Sequence, residues 1–244
     1  MLTTNNSGNW DSKCQKNKMT DFCQRTEQLI GCESYQKIKN SVILIVGVGG
    51  VGGYAAEFFA RAGVGNLVLV DFDKVENSNI NRQIIATSKT VGQFKTEVLK
   101  QRLLEINPDI SVRIFTQRFN EESAEKILGE KFDFVVDAID SVKDKTSLIL
   151  FAKRAGFKVI SAMGAGNRFD IPSFEVKDIF KTQNDGLAKA MRKNLREAGV
   201  SELPCVCAKS QAIKLSGVVG SISYYPPACA SVICAYVLNE IIKG

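Results

Sequence analysis

Gly47, Gly49 and Gly52 belong to the run Gly47-Val48-Gly49-Gly50-Val51-Gly52-Gly53, which directly follows the apolar, mostly β-branched stretch Val42 to Val46. A Gly-x-Gly-x-x-Gly turn between strand and helix lets the main chain approach phosphate groups while amides at the helix N-terminus point at them. Asp71 ends the next apolar stretch, Leu67 to Val70, where the dinucleotide-binding fingerprint places a carboxylate that bonds a ribose hydroxyl. Taken alone, these residues favour NAD. The chain has no histidine, so Ser-His-Asp hydrolysis, Cys-His proteolysis and imidazole acid-base catalysis are all excluded.

The seven cysteines are Cys14, Cys23, Cys32, Cys205, Cys207, Cys229 and Cys234. An odd, irregularly spaced set in a mid-sized chain argues against a secreted disulfide framework and suits a reducing cytoplasm. No Cys-x-x-Cys pair is present to gather thiolates tetrahedrally, and Cys205-x-Cys207 is a poor substitute, so no zinc is expected. The net charge of +6 is compatible with a nucleotide or a nucleic acid partner and selects neither.

These residues need a scaffold, and from Ser41 onward apolar runs alternate with amphipathic stretches, the pattern of parallel strands covered by helices. The reading is a strand over Val42 to Val46, a helix to about Ala62, a strand over Leu67 to Val70 and a helix from Val91 to Ile106. There follow a strand over Ser111 to Phe115, a helix over Glu121 to Leu128, a strand over Phe132 to Val136, a helix over Lys145 to Ala155 and a strand over Phe157 to Ser161. Beyond Gly164-Ala165-Gly166 the pattern changes to an extended crossover over Arg168 to Val176 and a basic helix over Leu187 to Ala198. A last strand over Ser221 to Tyr225 and a buried helix over Ala228 to Ile242, led in by Pro226-Pro227, complete the reading.

The expected fold class is therefore α/β, a Rossmann-like doubly wound, mostly parallel sheet with an antiparallel C-terminal extension. Residues 1–20 read as a flexible leader without a secretory apolar region, which leaves organelle targeting open, and residues 21–244 as one domain. The apolar stretch Ala228 to Val237 falls short of the roughly 20 residues that span a bilayer, so no membrane span is expected.

The segment Asp71-Phe72-Asp73-Lys74-Val75-Glu76-Asn77-Ser78-Asn79-Ile80-Asn81-Arg82-Gln83 resembles the signature of ThiF, MoeB and the ubiquitin-activating enzymes. In that superfamily the glycine turn holds ATP instead of a dinucleotide. Val91-Gly92-Gln93-Phe94-Lys95 matches its lysine segment, and Val136-Asp137-Ala138-Ile139-Asp140 its second acidic strand end. The resemblance implies that Asp71 holds the ribose, that Asn79, Arg82, Gln83 and Lys95 surround the triphosphate, and that Asp140 places magnesium-bound ATP near an acceptor carboxylate. Gly50 and Asp73, inside the same segments, are counted with the binding residues. The chemistry agrees, because a carboxylate attacking an α-phosphate brings two anions together and needs fixed cations such as Arg82 and Lys95. Taken singly, each of these charges reads as a solvated loop residue or a helix cap.

Within the superfamily, the entry segment Asp21 to Gly31 resembles the Phe-x-x-Arg-Thr-Glu-x-Leu-Ile-Gly start of tRNA threonylcarbamoyladenosine dehydratases. Asp137 to Val142, Ser161 to Asn167, Asp178 to Thr182 and Gly220 to Tyr224 follow the same branch. The resemblance implies ATP-dependent adenylation of the threonyl carboxylate in a tRNA substrate, followed by ring closure. It further implies a homodimer in which Arg25 of one subunit reaches its neighbour's ATP, and it brings a sulfur-relay protein into view as a partner. The competing activity is adenylation of the C-terminal carboxylate of a ubiquitin-like sulfur carrier, in which Cys205 or Cys207 would be a candidate relay thiol. Lys189, Arg192, Lys193 and Arg196 recur at three- and four-residue spacings along one helical face. That face reads equally as a track for tRNA phosphates or as a solvated surface.

Overall fold

The computed structural model describes residues 21–244, so the leader expected over 1–20 lies outside the described residues. After a short 3-10 turn come α1 (Gln24–Ile30) and α2 (Cys32–Asn40), then β1 (Val42–Val46), α3 (Gly52–Ala62) and β2 (Asn66–Val70). The chain continues through α4 (Lys95–Ile106), β3 (Ser111–Phe115), α5 (Glu121–Leu128), β4 (Phe134–Asp137), α6 (Val142–Arg154) and β5 (Val159–Ala162). It ends with β6 (Phe174–Asp178), α7 (Gly186–Glu197), β7 (Pro204–Ala208) and α8 (Tyr225–Lys243).

The seven strands form one sheet in the order β3-β2-β1-β4-β5-β7-β6. Every pairing is parallel except β6 with β7. Successive residues of a strand face opposite sides of the sheet. Ile43 and Ile45 accordingly pack with Phe59 of α3 and Ile233 of α8, while Leu44 and Val46 pack with Leu148 of α6 and Met191 of α7. Because both faces are covered, the strands read as continuous apolar runs. The strand order reverses between β1 and β4, and in open α/β sheets the crevice outside that point is where ligands bind.

The structure corrects the sequence-based reading at three places. The strand expected over Ser221 to Tyr225 is instead a turn, and α8 begins at Tyr225, whose fully buried ring meets Phe174 edge-on. The strand that completes the sheet is β7, which pairs parallel with β5 and antiparallel with β6. The helix expected from Val91 begins at Lys95, because Gly92, with φ +88, makes a turn whose amide donates to the Val75 carbonyl oxygen. The antiparallel extension itself is present as the β6–β7 pair. At 19 residues α8 is long and apolar enough to cross a membrane by length and composition alone. It packs on α3 and the sheet instead, with Tyr236 edge-on to Phe134.

Candidate nucleotide and acceptor site

The C-terminal ends of β1, β2, β4 and β5 open into a cavity of about 470 Å³, within the roughly 300–1,000 Å³ usual for small-molecule sites. Its floor is the glycine turn between β1 and α3. A Cβ on Gly52 would lie 1.8 Å from the Gly47 carbonyl oxygen, and one on Gly47, at φ +87, would lie 2.7 Å from that of Ala138. No larger residue fits either position without moving the backbone. Gly49 and Gly50 line the cavity beside them.

Asp71 ties the turn to β2. Its Oδ2 accepts the Val48 amide at 2.8 Å and its Oδ1 accepts the Asp73 amide at 2.8 Å. Burial pushes the Asp71 carboxyl above the ordinary carboxylate value, against the opposing pull of the Asp73 amide, Lys95 and the Val48 amide. The carboxylate still lines the cavity and each oxygen retains accepting capacity.

Three side chains of the lining suit an anionic ligand. Arg82 is held by hydrogen bonds from Nη1 to the Ser78 carbonyl oxygen at 2.7 Å and to Asn81 Oδ1 at 2.9 Å, both neutral acceptors. Its charge has no carboxylate partner among the described residues. Lys95, at the first turn of α4, is buried and donates to Asp73 Oδ2 at 2.7 Å, with Asp73 half exposed to the cavity. Gln83 lines the cavity, where its amide nitrogen, with no hydrogen bond among the described residues, is the donor that an anion could use; its Oε1, an acceptor, is buried without a partner among them. Asn79 is not on the lining. It is buried behind it, where its carbonyl oxygen accepts the Arg82 and Gln83 amides at 3.1 and 2.9 Å. Asp140 stands across the cavity on the loop between β4 and α6. It is exposed and makes no hydrogen bond or ion pair among the described residues. An unengaged carboxylate on the lining is the kind of hard oxygen donor that magnesium takes.

The family profile matched by this sequence is the ThiF family, over residues 23–242. The chain belongs to the ThiF family. It is 40% identical over 178 residues to the tRNA threonylcarbamoyladenosine dehydratase of Bacillus subtilis, a match covering 73% of this chain and 70% of that protein. The enzyme of the same description from Haemophilus influenzae is 39% identical over 165 residues, covering 68% and 63%. The crystal structure of the Escherichia coli tRNA N6-threonylcarbamoyladenosine dehydratase in complex with ATP superimposes with a TM-score of 0.86 at 30% identity, covering 91% of this chain and 93% of that one.

The remaining expected residues do not line the cavity. Arg25 is exposed on α1 and does not line the cavity. Lys189, Lys193 and Arg196 face outward from α7, with Arg196 stacked 5.2 Å from the centre of the Phe180 ring. Arg192 is half-buried and donates to the Thr182 carbonyl oxygen and hydroxyl, so it belongs to the fold more than to the stripe. Cys205 and Cys207 sit in β7 with almost no exposure. The Cys205 thiol is pushed up by its hydrogen bond with Cys207 and by burial, far from a reactive thiolate.

Two parts of the site escaped the sequence reading. Arg118, just beyond β3, lines the cavity with its guanidinium paired to Asp144 at 2.7 Å and 5.3 Å from the centre of the Phe72 ring. Its place after an expected strand, at the same sheet edge as Asp71, was the available signal. The loop Gly164-Ala165-Gly166 forms another wall. Arg168, itself buried, holds it by donating from Nη1 to the Gly164 and Gly166 carbonyl oxygens at 2.7 and 3.1 Å. Asp185 accepts the Gly164 amide at 3.0 Å and caps α7 through the Ala188 amide at 2.8 Å. The basic helix is thus fastened directly to the cavity rim, with Leu187 on the lining.

Proposed function

We propose that this chain is an ATP-dependent tRNA threonylcarbamoyladenosine dehydratase, a cytoplasmic enzyme that adenylates the threonyl carboxylate and lets it cyclise. The observation that carries this reading is one cavity uniting an uncompensated Arg82, Lys95 and an unengaged Asp140 around a glycine turn. The ATP-bound relative of the same fold supports it.

A carboxylate oxygen of the modified nucleoside attacks the α-phosphorus of ATP and pyrophosphate departs. Negative charge gathers at that centre, and Arg82 and Lys95 stabilise it from fixed positions. Asp71 orients the ribose, the Gly47–Gly52 turn cradles phosphate oxygens, and the Gln83 amide supplies a further hydrogen bond. Magnesium, when bound, withdraws charge from the phosphate oxygens, and Asp140 would hold it. A nucleophile already tethered within the same nucleoside then attacks the activated carbonyl, loses its proton, and expels AMP with the former carboxylate oxygen. The tether supplies effective concentration, so no histidine or protein nucleophile is required. The burial of Cys205 and Cys207 weighs against the sulfur-carrier alternative in its thiol-relay form. Incubation of the protein with ATP and tRNA that carries threonylcarbamoyladenosine, followed by nucleoside mass spectrometry, tests the reading: the cyclic nucleoside, lighter by one water, is the expected product, and unchanged threonylcarbamoyladenosine with wild-type protein would refute it.

The homodimer that the family resemblance implies would bring the exposed Arg25 of one subunit to its neighbour's cavity and complete each site in trans. Arg25→Ala and Arg82→Ala proteins should each be inactive, yet a mixture should recover activity, since a mixed dimer contains one site free of both changes. Activity that stays at the level of the separate variants would mean that Arg25 does not act across subunits.

The outward cations of α7 are assigned to tRNA phosphates. The triple change Lys189→Gln, Lys193→Gln, Arg196→Gln should make the dependence of log affinity on log salt shallower by roughly 2–3, at about one unit per lost contact. An unaltered slope in a filter-binding titration would leave the stripe a solvated face.

A further inference from the structure

Lys145 is the least economical choice the sequence makes near the site. It sits in the first turns of α6 on the face packed against the sheet, and its side chain and that of Asp137 are both fully buried. A buried ammonium is tolerated only when its donors are matched, because desolvation costs several kcal/mol per ion. Lys145 Nζ meets Asp137 Oδ2 at 2.9 Å and donates to the Ile139 carbonyl oxygen at 2.9 Å. The Asp137 carboxylate also accepts the Ser161 hydroxyl at 2.6 Å and the Ile139 amide at 3.2 Å. Four bonds therefore lock the turn that runs from the end of β4 to Asp140. Asp140 makes no bond of its own, so this brace is what fixes its place on the cavity wall.

We propose that Lys145 is a positioning residue for the adenylation step, holding the 137–140 turn so that Asp140 faces the phosphates of ATP. The inference rests on the adenylation reading above. A misplacement of about 1 Å in a reacting constellation lowers rates by on the order of 10²-fold, so the brace acts on turnover more than on nucleotide affinity.

The test is a double-mutant cycle with Lys145→Met and Asp140→Asn, reading kcat and KM for ATP in AMP release, together with calorimetric ATP binding with and without magnesium. Lys145→Met is expected to lower kcat roughly 10-fold to 100-fold with KM nearly unchanged, and to weaken only the magnesium-dependent part of binding. In the Asp140→Asn background it should add little, since it acts through the group already removed. The same fractional loss in both backgrounds, or a lowered melting temperature with kcat intact, would overturn the assignment and leave adenylation standing. A wild-type protein that releases no AMP would overturn both. Because Lys145→Met leaves Asp137 unpaired, the pair Asp137→Asn with Lys145→Met removes both charges and is read by the same criteria should the single variant fail to fold.

Discussion

Replacing Arg82 by alanine should lower the rate of AMP formation by on the order of 10²–10³-fold, the usual effect of removing one preorganised donor from a charge-stabilising site. The magnitude follows from its setting. The guanidinium is held by two neutral oxygens, so its charge is not shared with a carboxylate and is fully available to the ligand. Stability should fall by only about 1 kcal/mol, the net worth of a typical hydrogen bond, because the side chain is half exposed and packs into no core cluster. Arg82→Lys should recover part of the rate, since it restores charge without the planar fork. Steady-state AMP release and a chemical melt of the same samples separate the two effects, and an Arg82→Ala enzyme of wild-type rate would remove the cation from the mechanism.

Asp140→Asn should have the second largest effect. The change preserves shape and removes one negative charge from a side chain that has no partner among the described residues, so stability should move by no more than about 0.5 kcal/mol. Turnover should fall by on the order of 10²-fold and the magnesium concentration for half activation should rise, because one hard oxygen ligand is weakened. A magnesium titration of pyrophosphate release checks both. A variant with unchanged half activation would show that Asp140 does not hold the metal.

The central sheet and its phosphate turn were legible because their determinants are local. Val42 to Val46 is an unbroken apolar run, the glycines follow at once, and Asp71 closes the next strand; each needs only its neighbours in sequence to be read. The outer part was not legible in this way. Pro204-Cys205-Val206-Cys207-Ala208 is almost wholly buried between β5 and β6, so it shows no polar alternation, and its strand state is set by partners distant in sequence. Ser221 to Tyr225 carries the opposite signal, a mixed polar and aromatic run that looks like a strand but turns into the proline-led start of α8.

The same distinction divides the site residues. Arg82, Gln83, Lys95 and Asp140 stand in short segments whose order is distinctive. Lys145 and Ser161 acquire their roles only through register, since Asp137 is opposite Ser161 in the β4–β5 pairing and α6 brings Lys145 over both. Arg118 depends on β3 lying beside β2. Arg192 shows the converse: its helical spacing places it with the basic stripe, but Thr182, from the turn before α7, claims its guanidinium. Spacing along one helix cannot reveal a partner on another segment.

Central to the proposed mechanism is that a substrate carboxylate oxygen bonds to the α-phosphorus of ATP before the ring closes. Threonylcarbamoyl-adenosine in tRNA labelled with oxygen-18 in both carboxylate oxygens tests this by mass spectrometry of the released AMP. The mechanism predicts AMP carrying one heavy oxygen and a cyclic nucleoside retaining the other. Unlabelled AMP accompanying cyclic product would contradict it, since the lost oxygen would then have left by a route that never joined it to phosphorus.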